Sequence, residues 1–357
     1  MATMRDVARR ANVSIATVSF VVNNTKRVAP ATRARILAAM EELGFRRNVV
    51  ARALASRRTR IIALLFPALD RRLDSTALSI VTSAAEAAHA RGYNLVLWPI
   101  SNDADQMTDL IAGGLADGVL LMAVQMEDAR VHHLMESGTA FTLIGRTREP
   151  EQLSYVDIDF DGTVTAALDY LTGLGHERIA LIIERPDGSN LAGYGPVVRT
   201  ESSYRDRMAE RALDPVIVSC KGDPVGGRGA AAELLRVAPE TTAVIVMNED
   251  AAFGLVSGLA HAGLRVPNDV SILSISTTPE MGATSDPPLS TMNAPGKEMG
   301  RLGVEALIDQ LEGKPTHPTQ VLLLCELQLG ESTGPTRTKL PEEGRDAAPR
   351  GSRSSRQ

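Results

Sequence analysis

Met4-Arg5-Asp6-Val7-Ala8, followed after a short gap by Val13-Ser14-Ile15-Ala16-Thr17-Val18-Ser19, decides how this chain begins. Thr3 and Asp6 fit a capping box, the hydroxyl serving a free amide and the carboxylate reaching back to the positive end of a helix. A first helix is therefore predicted from about Met4 to Ala11, then a turn at Asn12-Val13, then a second helix capped by Ser14. Val18, Val21 and Val22 fall at helical spacing for burial against Val7, Ala8 and Ala11. Two short helices crossing through a tight turn form a helix-turn-helix, which sets the first residues of its second helix in the major groove of DNA. Ile15, Ala16, Thr17 and Phe20 are thereby nominated as reading residues, with Ser14 and Ser19 as phosphate or base contacts. Phe20 either faces the groove or packs into the head core, and the spacing leaves both open. A third helix is predicted from Pro30 to about Leu43, with Ile36, Leu37 and Met40 on one face and Gly44 at its end.

Working outward, the charge divides with the sequence. Up to Arg60 there are thirteen Lys or Arg against three Asp or Glu, a balance of +10; the whole chain carries −5, so the remainder carries −15. A basic head attracts phosphate and releases counterions, while an acidic body keeps DNA away from the other faces. At 357 residues and 44% hydrophobic composition, two or three folded units of a soluble globular protein are expected. Met1-Ala2-Thr3-Met4 runs straight into charged residues, and no apolar stretch approaches the roughly 20 residues that span a bilayer, so a cytoplasmic, nucleoid-associated protein without membrane contact is expected. Cys220 and Cys325 have neither ligand nor redox spacing and read as ordinary buried thiols.

From Ile61 onward, short apolar runs alternate with helical stretches. Ile61 to Phe66, Tyr93 to Trp98, Gly118 to Met122 and Phe141 to Ile144 read as buried parallel strands, separated by Ala-rich helices such as Ala84 to Ala90. A second set runs through Arg178 to Ile183, Val216 to Val218, Ala243 to Met247 and Val270 to Leu273. The fold class is thus an α-helical helix-turn-helix head plus an α/β body of two doubly wound subdomains, with a ligand site in the cleft between them.

The order Asp6-Val7-Ala8, Val13-Ser14, Thr17-Val18-Ser19, Val22-Asn23, Thr32-Arg33, Gly44-Phe45, Asn48 and Ala51-Arg52-Ala53-Leu54-Ala55 closely resembles the lactose-repressor (LacI/GalR) family of bacterial transcription regulators. The body resembles the same family's effector domain, built like a periplasmic sugar-binding protein, through Ile144-Gly145-Arg146, Val156-Asp157, Gly173 to Ala180, Asn248 with Gly254, Gly263 to Ser271 and Pro288 to Thr291. Together these motifs cover about 330 residues. The resemblance implies that the basic segment after Phe45 is a hinge helix that folds on the operator, and that Leu54 wedges into the minor groove. It adds Asn23, Asn48 and Arg52 to the DNA-binding set. Many members carry Arg where this chain has Phe20 and Pro where it has Arg47, so the apolar reading surface is suited to thymine methyl groups rather than to bidentate guanine contacts.

For the effector, the resemblance nominates Arg199, although Tyr204 sits one residue off the usual spacing, together with Arg146, Glu249 and Ser276. Glu249 stands where the family usually has Asp, and Ser276 where it generally has an aspartate that binds paired sugar hydroxyls. Gly173 to His176 reads as a helix end, the imidazolium complementing the carbonyls. After about Ser332 the pattern is lost to a polar, low-complexity tail without leucine heptads, so a homodimer is the simplest assembly. The expected division is 1–46 head, 47–60 hinge helix and linker, 61–333 effector and dimerisation domain, and 334–357 disordered tail.

The sequence therefore reads as a DNA-binding regulator, a repressor whose affinity for double-stranded operator DNA responds to a small-molecule effector such as a sugar or related metabolite. A solute-binding protein of a transport system, or a regulator that has lost effector binding, are the alternatives. An enzyme is disfavoured: Gly222 to Gly229 matches no dinucleotide or phosphate loop, and His132-His133 lacks partners at metal-ligand spacing. No cofactor and no metal are expected.

Overall fold

The computed structural model describes residues 2–23, 26–45, 58–67, 73–100, 107, 113–185, 193–314 and 317–336. Asn48, Arg52, Leu54 and the side chain of Asn23 lie outside them. The head consists of α1 (Met4–Ala11), α2 (Ile15–Asn23) and α3 (Pro30–Glu42). The capping box is formed, with Thr3 N donating to Asp6 Oδ2 at 3.0 Å and Asp6 N donating to Thr3 Oγ1 at 3.3 Å. The Thr3 hydroxyl and then the Thr3 N–H, both donating to Asp6 Oδ2, hold the Asp6 carboxyl below its usual range. Asn12 closes α1 in the left-handed region (φ 51°), which turns the chain into α2. Val7, Ala8, Ala11, Val18, Val21 and Val22 bury together as expected, joined by Ile36 and Ala39. Leu37, expected on the buried face of α3, is 48% exposed. The stripe is instead Ile36, Ala39, Met40 and Leu43, which keeps the i, i+3, i+4, i+7 spacing that Leu37 breaks.

The body contains two six-stranded sheets among the described residues. The first lobe orders its strands β11-β5-β4-β3-β1-β2: β1 (Ile61–Phe66), β2 (Asn94–Pro99), β3 (Gly118–Leu121), β4 (Phe141–Ile144), β5 (Tyr155–Ile158) and β11 (Gln320–Leu323). The second orders β12-β10-β9-β8-β6-β7: β6 (Ile179–Glu184), β7 (Val216–Cys220), β8 (Ala243–Met247), β9 (Ser271–Ile275), β10 (Ser290–Asn293) and β12 (Glu326–Gln328). Only β12, paired with β10, runs antiparallel. The helices are α4 (Ser75–Ala90), α5 (Ala129–Ser137), α6 (Phe160–Gly173), α7 (Gly195–Glu210), α8 (Pro224–Val237), α9 (Glu249–His261), α10 (Pro279–Gly282) and α11 (Gly296–Leu311).

The eight strands read from the sequence are present, and β5, β10, β11 and β12 join them. The chain passes between the lobes at β5 to α6, β10 to α11 and β11 to β12, since α11 packs on α4, β3, β4 and β5 of the first lobe. Where α4 and α11 meet, Gly300 lies against the Ile80 carbonyl, an approach that a Cβ would block. His176 does not act as a cation at a helix end. It is buried, and burial lowers its pKa, so the ring is neutral. Its Nε2 meets the Gly334 carbonyl at 2.9 Å and its Nδ1 the Thr242 hydroxyl at 2.9 Å, a clamp of Nε2–H donating and Nδ1 accepting. Gly334 N donates to Ser271 Oγ at 3.1 Å, and Thr336 N to the Leu174 carbonyl at 2.9 Å. Residues 334–336, assigned to the tail from composition, are thus bonded to the second lobe.

Candidate functional site: interlobe cleft and DNA-facing helix

In each sheet the strand order reverses beside the first strand, between β1 and β3 and between β6 and β8. A doubly wound sheet leaves a crevice there, outside the strand carboxyl ends. A cavity lies at that place, lined by Phe66, Met122 and Ile158 from first-lobe strand ends and by Glu184, Met247 and Ser276 from the second. Asp74, Asp157 and Glu249 also face it. Its volume is ≈ 100 Å³, against the ~300 Å³ or more of ordinary small-molecule pockets.

The small volume reflects closure. Arg199, on the first turns of α7, reaches across from the second lobe. Its Nη2 donates to the carbonyls of Arg146 at 2.7 Å and Thr147 at 3.0 Å. Its Nη1 lies 3.8 Å from Asp157 Oδ2, and Arg146 Nε lies 3.4 Å from the same oxygen. Gly195 N donates to the Val124 carbonyl at 3.0 Å and Met126 N to the Gly193 carbonyl at 2.7 Å, sealing one flank with backbone bonds. A Cβ at Gly195 would displace the Arg199 guanidinium and crowd the Val124 carbonyl. Elsewhere along the cleft Glu249 accepts from Ser75 N at 2.9 Å and from the Ser75 hydroxyl, and Thr76 Oγ1 donates to the Ser276 carbonyl at 2.9 Å.

Electrostatically the site is strained at one point. Asp157 is buried, its Oδ2 has no hydrogen-bond partner, and neither has Arg199 Nη1. Burial pushes the Asp157 carboxyl up to about 6, against the pull of Arg199. Burial likewise lowers the Arg199 pKa, with Asp157 opposing. An orphaned acceptor facing an orphaned donor is the arrangement that one ligand hydroxyl satisfies, accepting from the guanidinium and donating to the carboxylate. Glu249 also has a raised pKa, from burial, opposed by its two bonds from Ser75.

Of the four effector candidates, Glu249 and Ser276 line the cavity, while Arg146 and Arg199 stand behind Asp157, which does. Arg199 and Arg146 converge on Asp157. Glu249 is engaged with the amino end of α4, while Ser276, in the left-handed region at φ 59°, bonds across the cleft through its backbone carbonyl. Asp157 was read only as part of a family motif; its burial at the end of β5 is what marks it. Asn248 caps α9 through Ala251 N and donates to Glu184 Oε2 at 3.0 Å, a pairing no sequence signal announced. Tyr204, one residue off the family's usual spacing, packs into the second lobe: its ring is fully buried and its hydroxyl donates to the Ile179 carbonyl at 2.7 Å.

In the head, Ser14 Oγ accepts from Thr17 N at 3.1 Å and bonds the Thr17 hydroxyl at 2.8 Å, so this pair shapes the start of α2. Ile15 is 45% exposed and Ala16 is exposed beside it. Phe20 is half-buried but stands outside the head core cluster, with Lys26 Nζ 5.1 Å from its ring centroid. Of its two readings, the surface one fits.

A basic helix-turn-helix joined to a two-lobed cleft defines a DNA-binding protein governed by a ligand-binding domain. The sequence matches "Bacterial regulatory proteins, lacI family" over residues 3–48 and "Periplasmic binding protein-like domain" over residues 168–333. It is 32% identical over 340 residues to the HTH-type transcriptional regulator CelR of Thermobifida fusca, covering 92% of this chain and 98% of that protein. Catabolite control protein A of Priestia megaterium is 28% identical over 339 residues, covering 93% and 99%. Among solved structures, a transcriptional regulator CelR-cellobiose complex matches with a TM-score of 0.70 and 28% identity, over 93% of this chain and 100% of that one. The Lac repressor dimer bound to operator and the anti-inducer ONPF shares the fold, with a TM-score of 0.81 at 21% identity, over 93% and 99%. The chain belongs to the LacI family of bacterial regulatory proteins. It is a DNA-binding transcriptional regulator. No helix among the described residues is long and apolar enough to cross a membrane.

Proposed function

We propose that this chain is a homodimeric repressor, without catalysis of its own, that works in the cytoplasm on a pseudo-palindromic operator and takes a neutral, hydroxyl-rich sugar in the interlobe cleft. The orphaned pair of Asp157 Oδ2 and Arg199 Nη1, of which Asp157 lines the cavity and Arg199 lies behind it, carries the ligand assignment. A hydroxyl completes both groups at once, whereas a phosphate or carboxylate would meet Asp74, Asp157, Glu184 and Glu249 around the same cavity. Likeness to the CelR-cellobiose complex makes cellobiose the first sugar to try. Ser14, Ile15, Ala16, Thr17, Ser19, Phe20 and Asn23 form the reading helix of each head, and Asn48, Arg52 and Leu54 belong to the hinge. Ligand control requires that the sugar bind one lobe arrangement better than the other, so sugar and operator change each other's affinity by reciprocal factors.

Selection of operator fragments from genomic DNA with the purified chain, followed by titration of cellobiose and related sugars against the bound fragments, tests this directly. Enrichment of a pseudo-palindrome and a sugar-dependent change in its affinity are expected. No enrichment over bulk DNA sinks the operator reading, and enrichment without response to any sugar sinks the ligand reading.

The dimer has a candidate surface. β2 ends the first sheet, and its Val96 and Leu97 are 37% and 39% exposed. An apolar edge strand of this kind invites pairing with its own copy. Replacing both residues with Glu is expected to give a monomer by sedimentation velocity and to weaken operator binding at least 100-fold, because two heads no longer engage together. A dimer unchanged in both charged replacements would place the interface elsewhere.

A further inference from the structure

The place where the linker enters the body is held more firmly than a connecting segment requires. The Asp117 carboxylate, one residue before β3, accepts from Thr59 N at 2.6 Å, Thr59 Oγ1 at 2.8 Å and Arg60 N at 3.0 Å. The Thr59 hydroxyl in turn accepts from Ile61 N at 3.2 Å. Arg60 takes a left-handed conformation, φ 58°, and lays its guanidinium over the Tyr93 ring, 4.8 Å from the centroid. A residue with a Cβ adopts that conformation only where its surroundings impose it, and the bond from Arg60 N to Asp117 imposes it here. Two residues before Arg60, Arg58 Nη2 donates to the Leu311 carbonyl at 3.0 Å. That carbonyl is the last of α11, where the helix dipole favours a cation.

α11 connects this anchor with the cleft. Its first residue, Gly296, lies against Ser79 and the Thr76 carbonyl at the start of α4, and Met299 lines the cavity. The helix is 16 residues long and ends at Leu311, a rod of about 24 Å. α4 runs beside it, and Arg91 just past its end pairs with Asp309 at 2.9 Å and Glu312 at 3.0 Å. The two helices are therefore held together near both the cleft and the linker.

We propose that Asp117, with Arg58 on the end of α11, is the anchor that makes the linker ride with the first lobe, so that both are positioning residues for operator binding and its control. This rests on the assignment of residues 47–60 to the hinge. An untethered linker would leave the heads to diffuse, and ordering them on the operator would cost the entropy that the anchor has already removed.

The test uses the full-length chain and the operator fragment recovered with the wild type. Asp117→Ala is expected to weaken operator binding at least tenfold. Asp117→Asn keeps one accepting oxygen for Thr59 but offers Arg60 N a donor, so an intermediate loss is expected. Arg58→Met is expected to weaken binding beyond the factor of two to three that one lost phosphate contact gives. All three should retain the wild-type sedimentation coefficient and thermal midpoint of the body, readouts that a merely structural role would move. Operator affinity of Asp117→Ala within twofold of wild type, or a loss matched by a fall in thermal midpoint or dimerisation, overturns the proposal. Failure of the wild type to bind any fragment would instead overturn the operator reading itself.

Discussion

Arg199→Leu is expected to lower sugar affinity by a hundredfold or more and to abolish the sugar response, while ligand-free operator binding stays within a few-fold of wild type. The guanidinium supplies the orphaned donor behind Asp157 and also two bonds to first-lobe carbonyls. A charged hydrogen bond to a ligand contributes about 1.5–3 kcal/mol, and loss of the interlobe bonds adds to it. The substitution also leaves Asp157 buried with Arg146 alone. For Asp157 the folded pKa, about 6, already exceeds the ordinary carboxylate value. A group raised on folding contributes stability that is fully present below its unfolded pKa and is lost as pH rises through the folded one. Removing Arg199 raises the folded value further, so the thermal midpoint of Arg199→Leu should fall more at pH 8 than at pH 5. Adding Asp157→Asn should restore most of that midpoint without restoring sugar binding.

The same carboxylate gives wild-type sugar binding a pH signature. A hydroxyl donating to Asp157 favours the ionised form, so affinity is expected to rise from pH 5 to pH 7 and then level. Calorimetry in buffers of different ionisation enthalpy should show proton release on binding near pH 6. Unchanged sugar affinity in Arg199→Leu would remove the ligand assignment.

The second large effect belongs to the head. Leu54→Ala is expected to weaken operator binding on the order of 1000-fold while leaving sugar affinity unchanged. An apolar side chain wedged between base steps offsets an unstacking cost of a few kcal/mol through added contact. Shortening it removes about 2 kcal/mol of apolar burial per copy at roughly 0.8 kcal/mol per carbon, and a dimer carries two copies. A filter-binding titration showing equal operator affinity would eliminate the wedge.

Much of this molecule is legible locally. The capping box at Thr3 and Asp6, the valine stripe of α2 and eight of the strands follow from neighbours a few residues apart. Short elements escaped for a physical reason. Tyr155 to Ile158 and Ser290 to Asn293 carry polar residues inside four-residue strands, and Gln320 to Leu323 and Glu326 to Gln328 are sheet edges whose exposure alternates or is complete, so none shows the continuous apolar run of a buried strand. Leu37, expected inward, breaks the i, i+3, i+4, i+7 spacing that Ile36, Ala39, Met40 and Leu43 keep, so here the strict period was the better guide.

Residue chemistry at short spacing settled the class of this protein: a basic reading head, a doubly wound body, a cleft between two halves. Hydrogen bonds and periodicity within a helix or strand are local, and the sequence displays them. Tertiary structure decided which distant side chains share a low-dielectric space. Asp157 and Arg199 stand 42 positions apart in the chain, yet they face each other at 3.8 Å, and Thr59 bonds Asp117 across a comparable interval. Burial turns the first pair into a ligand-seeking one and the second into an anchor, and burial is a property of the packed chain rather than of any stretch of it.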